Sequence, residues 1–372
     1  MRTADLLVLL LQGLLVASVP LAIVWAFRGQ DRIQRLAWLT AFVTFDLVVF
    51  GAFTRLTDSG LGCPDWPGCF AKANPFAAAG AIQSAERALP GGPVDMQKAW
   101  IEMIHRMLAG GVGLLILTMV IVTWNKRYRY GSAFGIALVA LGLVVVQVAF
   151  GAYTVTLKLE PVIVTAHLLF GLLLLAVLMW QAAALDSRLA GSVQGSRALA
   201  AFALIGLLLL ALQIALGGWV STNYAVLACT DYPLCQGQLL PPMDFKDGFS
   251  FARALGHTED GDFLPQAALT AIHWTHRNAA LPISLALLAI AVWVSRTTPL
   301  RREARNLVLL VVLQWVTGLA NVLFGWPLLA AVVHSAGAAA MLATLVLINY
   351  RLRAHPKRAS SFIAAPPKTA PQ

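Results

Sequence analysis

Charge is what this chain has least of. Charged side chains make up 12% of its 372 residues, against about 25% in an ordinary soluble domain. Hydrophobic residues make up 59%, with a mean hydropathy of +0.75. So little charge excludes a soluble globular enzyme and leaves an all-α polytopic membrane protein. Acids are scarcer than bases, 17 against 27, and the net charge is +10. The bases stand in short clusters between apolar runs, so this charge describes topology and not a nucleic-acid partner. Cysteine is scarce too: four residues form the pairs Cys63/Cys69 and Cys229/Cys235.

What is abundant is apolar sequence. Runs near 5–27, 36–56, 100–124, 132–155, 162–185, 198–221, 267–295, 305–326 and 328–350 each reach the ~20 residues that cross a bilayer core. The first run is too long for the core of a signal peptide and has only Arg2 before it, so it counts as a spanning helix. Arg28, Arg32 and Arg35, then Lys126, Arg127 and Arg129, then Arg188 and Arg197, then Arg296, Arg301, Arg302 and Arg305 mark alternate loops as cytoplasmic. Arg351, Arg353, Lys357 and Arg358 place the C-terminus there too. The N-terminus and the long loops 57–99 and 222–266 then lie outside. Both cysteine pairs fall in those loops, where an oxidising compartment favours disulfides. The proline-bearing tail 351–372 lacks an apolar period and reads as disordered.

The chain repeats itself. Gly51 and Gly217, Cys63 and Cys229, and Cys69 and Cys235 are each 166 positions apart. Gln147 and Gln314, Gly151 and Gly318, and His167 and His334 are each 167 apart. Two homologous units follow, 36–185 and 186–350, after an extra N-terminal helix and loop, 1–35. A unit with an even number of helices returns to the side it started from. The expected fold is therefore two parallel four-helix bundles related by a pseudo-twofold along the membrane normal.

His105, His167, His276 and His334 each lie a few residues inside a helix that starts at the outer face, at a depth of about 8–15 Å. Two imidazoles facing each other across a bundle suit axial ligation of a haem iron. Zinc is disfavoured because no cysteine, aspartate or third histidine shares that depth within a unit. Arg106, Arg277 and Arg55 are candidates for haem propionates. Glu102 precedes His105 by three positions, one turn away on the same helix face, and the same offset in the second unit holds His273 before His276. That substitution marks the first unit as catalytic and the second as an electron-transfer haem site. A carboxylate there can accept a proton or stabilise a developing cation, although an i,i+4 salt bridge to Arg106 is the structural alternative.

The stretch Gly51 to Leu61, the outer Cys-x5-Cys, Glu102-x-x-His105-Arg106 and the later His276-Arg277 resemble the haem A synthase family over about 36–350. The resemblance implies oxidation of the C8 methyl of haem O, through an alcohol, to a formyl group in a bacterial inner membrane. It implies that His276 and His334 ligate a resident haem b, that His105 and His167 bracket haem O, and that Glu102 is the essential acid. Haem O synthase would be the donor, an unidentified electron acceptor a further partner, membrane lipid the solvent, and a homo-oligomer is compatible with it. The extra N-terminal helix and the second cysteine pair depart from the pattern of some members. A di-haem b-type carrier explains the histidines but not Glu102 opposite His273. A transporter lacks the paired Pro/Gly-broken helices it would need.

Overall fold

The computed structural model describes residues 3–27, 32–189, 193 and 195–353. Residues 354–372, most of the tail expected to be disordered, lie outside the described residues. Residues 351–353, counted above with that tail, instead form the last turn of a helix.

The helices are α1 (Thr3–Ala26), α2 (Arg32–Leu56), α3 (Ala79–Ala88), α4 (Met96–Asn125), α5 (Arg127–Thr156), α6 (Pro161–Leu185), α7 (Arg197–Thr222), α8 (Phe245–Gly248), α9 (Gln266–Thr297), α10 (Arg301–Leu323) and α11 (Leu328–Arg353). Among the described residues, nine are long and apolar enough to cross a membrane, and they coincide with the nine apolar runs. The chain is thus all-helical and multi-pass. Polar residues set several ends. Asp95 caps α4 by accepting the Lys98 N–H at 2.7 Å, Ser196 caps α7 by accepting that of Leu199 at 3.1 Å, and Pro161 opens α6.

Helices α2, α4, α5 and α6 pack each against the next, with α6 returning to α2; α7, α9, α10 and α11 do the same. Between these sets, α6 meets α7 and α11, and α2 meets α11. Leu172 and Leu175 of α6 belong to a core shared with α7, α9, α10 and α11. Helix α1 lies on α4, where Gly13, Gly110 and Gly111 bring the backbones together; a Cβ on Gly111 would stand 2.4 Å from Val16. The N-terminal end of α1 meets the first cysteine loop, where Asp5 accepts the Ala73 N–H.

The repeat extends to backbone detail. Each cysteine pair is a disulfide, with Cα atoms 4.8 Å apart in the first and 4.7 Å in the second. The turn after α5 has positive φ at Lys158 and Leu159, and that after α10 at Gly325 and Trp326. Leu159 N–H donates to the Thr154 carbonyl and Trp326 N–H to that of Asn321, both at 2.8 Å. Such bonds satisfy carbonyls left open at a helix end.

Inside each disulfide loop an aspartate collects two amides. Asp65 accepts from Phe70 and Ala71, at 2.6 and 2.5 Å, and Asp231 from Gln236 and Gly237, at 2.7 and 2.9 Å. The Gly237 and Gln236 N–H groups hold the Asp231 carboxyl below the usual carboxylate range. A depressed carboxyl stabilises the loop while ionised and stops doing so as pH falls through its lowered pKa. Asp231→Ala should therefore speed hydrogen exchange at the Gln236 and Gly237 amides several-fold at neutral pH. The unsubstituted loop should show that acceleration only below about pH 4.

Candidate functional site

Glu102, in the second turn of α4, is 4% exposed. Its Oε2 accepts the Cys63 N–H at 2.7 Å, and its Oε1 pairs with the Arg106 guanidinium one turn on. Arg106 Nη1 then donates to the carbonyls of Asp65, Pro67 and Gly68, at 3.0, 3.2 and 2.5 Å. The first loop is thus folded onto an acid–base pair of α4. In the second unit His273 takes the place of Glu102: its Nδ1 accepts the Cys229 N–H at 3.2 Å. Arg277 follows suit, donating from Nη2 to the Leu234 carbonyl at 3.0 Å. The same seat is occupied by an acid in one unit and an imidazole in the other.

The four histidines lie within the two helix sets, His105 with His167 and His276 with His334, and the partners of each pair fall within electrostatic range of each other. Each ring rests against a glycine of the preceding spanning helix. A Cβ on Gly51 would lie 3.0 Å from His105 Cε1, on Gly217 2.9 Å from His276, on Gly318 3.4 Å from His334 and on Gly151 3.7 Å from His167. At Gly51 and Gly217 even a methyl would press on the imidazole, whereas at Gly318 and Gly151 it would only reach ordinary contact. The rings themselves are half-buried, with Phe50 stacked 6.4 Å from His105. Gln147 holds the backbone carbonyl of His167 at 3.0 Å and Gln314 that of His334 at 2.9 Å. Among the described residues, no three His, Cys, Asp or Glu come together as a metal site. Two paired imidazoles, seated on glycines and otherwise surrounded by apolar helices, fit a planar group that needs one ligand on each face.

The arginines differ in what remains free. Arg106 is committed to Glu102 and the loop carbonyls. Arg55 donates to the Ser221 carbonyl at 2.6 Å and lies 3.9 Å over the Tyr224 ring. Tyr224 in turn donates to Asp58 at 2.5 Å, and burial pushes its phenol above the usual tyrosine value. Buried Nη1 atoms of Arg55 and Arg277 make no hydrogen bond among the described residues.

Sequence reasoning missed several parts of this arrangement. Gln213 and Thr317 touch the Nδ1 atoms of His276 and His334, at 3.1 and 2.9 Å. Their signal was present, as polar residues on apolar helices, but the rotation of those helices was not.

The family model described as cytochrome oxidase assembly protein (COX15-CtaA) matches residues 34–346. A protein named heme A synthase from Shewanella oneidensis is 38% identical over 324 residues, 86% of this chain and 97% of its own length. Its namesake from Sphingopyxis alaskensis is 30% identical over 342 residues, 86% of this chain and 92% of the relative. That from Shouchella clausii is 27% identical over 303 residues, 78% and 87%.

Proposed function

This chain belongs to the COX15-CtaA family of cytochrome oxidase assembly proteins, alongside bacterial heme A synthases, and from that premise we propose that it oxidises the C8 methyl of haem O to the formyl group of haem A. The observation that carries the proposal is Glu102 standing where its own repeat has His273, with the surrounding loop and helix geometry kept.

The fold behind this reading is two parallel four-helix bundles, 36–185 and 186–350, with α1 added to the first. The closed packing of α2, α4, α5 and α6, repeated by α7, α9, α10 and α11, supports it. So do the Arg55–Ser221 and Asp58–Tyr224 contacts, each joining residues 166 positions apart. Equivalent residues meet in this way beside a twofold axis. The membrane is the bacterial inner membrane, with the N-terminus and both disulfide loops outside and the C-terminus in the cytoplasm.

In this assignment His276 and His334 hold a resident haem b, and His105 and His167 bracket haem O. A bound haem b supplies the one-electron redox chemistry that no side chain provides. The protein does the remaining work. The imidazoles fix the substrate porphyrin in the first bundle. Glu102, one turn from His105 and shielded from water, accepts a proton or offsets positive charge at the reacting carbon, and Arg106 and the Cys63 amide keep the carboxylate aimed. Arg55 and Arg277, with unmet donors, are the better placed to take propionates. Haem O synthase is the proposed donor, and the step further needs water or dioxygen for the formyl oxygen and an acceptor for the electrons removed from the methyl.

Expression in a host that makes haem O but has no haem A synthase tests the proposal. Chromatography of the extracted haems should show haem A, and haem O alone would overturn it.

A further inference from the structure

The two histidine pairs share a backbone frame and differ in what stands behind the rings. Thr317 lies 2.7 Å from the Leu313 carbonyl and 2.9 Å from His334 Nδ1. Its one proton goes to the carbonyl, so its oxygen accepts from Nδ1–H, and the Nε2 lone pair of His334 is left free. Gln213 meets His276 differently: its Nε2 donates to the residue's carbonyl at 3.0 Å and lies 3.1 Å from Nδ1, from which an amide nitrogen cannot accept a proton.

In the first unit the positions corresponding to Gln213 and Thr317, 166 and 167 residues earlier, are Leu47 and Phe150. Neither side chain can take a proton. The Nδ1 atoms of His105 and His167 are buried and have no hydrogen-bond partner among the described residues. The frame is otherwise kept, since Gln147 still reaches the His167 carbonyl as Gln314 reaches that of His334. Only the ring partners have been removed.

Resting on the assignment of a resident haem to the second unit, the geometry points to Thr317 as a positioning residue that makes His334 a permanent ligand, with Phe150 leaving His167 exchangeable. A ligating imidazole whose other nitrogen donates a hydrogen bond is fixed in rotation and made more basic, which strengthens its hold on iron and lowers the reduction potential. An imidazole without that bond turns more freely and binds more weakly. A resident cofactor requires the first condition; a porphyrin that must enter, be altered and leave requires the second.

Purified haem-loaded protein provides the test, with excess apomyoglobin as the haem acceptor. Thr317→Val removes the hydroxyl at nearly constant shape, and Thr317→Ser keeps it. Thr317→Val should speed haem b transfer about 10–100-fold and raise its midpoint potential, while the low-spin spectrum remains, and Thr317→Ser should do neither. Wild-type transfer rate and potential in Thr317→Val would overturn the inference while the functional reading stands. If Thr317→Val does not fold, the reverse change Phe150→Thr decides. It should slow porphyrin loss from the first unit, and an unchanged rate would overturn the inference. Wild-type protein that binds no haem b would remove the inference and the underlying assignment together.

Discussion

Glu102→His should lower haem A formation by about 100-fold or more while leaving the b-type spectrum unchanged. The substitution is one the protein already makes: His273 sits in the equivalent place and accepts the Cys229 N–H as Glu102 accepts that of Cys63. The variant therefore keeps an acceptor for the first loop and removes the carboxylate. Alanine would confuse the two roles, because it also releases Cys63 and Arg106. Glu102→Gln is the companion, retaining size and a loop acceptor but not the charge. Haem A is read by chromatography of extracted haems, and haem b by its reduced spectrum. Wild-type haem A in either variant would mean that the carboxylate serves only to pin the loop.

His276→Ala and His334→Ala should each remove the low-spin b-type spectrum, because a six-coordinate iron needs both imidazoles and, among the described residues, they are not part of any group of three His, Cys, Asp or Glu able to hold a metal. His105→Ala and His167→Ala should leave that spectrum in place and stop haem O conversion. The contrast separates the two sites within one chain. A low-spin spectrum surviving both second-unit changes would mean that the ligands have been misassigned.

The helices were legible because a bilayer demands about 20 apolar residues per crossing, and every such run became a spanning helix. The correspondence of Glu102 with His273 was legible from spacing alone, and the two loops confirm it by presenting the same cysteine amide to each. What the spacing could not give was rotation. Arg106 was a candidate for a propionate, yet its Nη1 is spent on Asp65, Pro67 and Gly68 because the disulfide loop folds back over α4. Gln147 and Gln314 were visible as landmarks of the repeat but not as the groups holding histidine carbonyls. Thr317 looked like any other helix threonine until α10 was known to turn it toward His334. The Ala/Gly/Pro-rich outer segment 71–93 carries α3, whose Ile82 is buried.

The division of labour between the halves is tested most directly by identifying the porphyrins bound to the wild-type protein purified from cells that make haem O. The account predicts haem b in fixed proportion to the chain together with a second porphyrin, haem O or haem A. A colourless preparation, or haem b filling both sites, would contradict it.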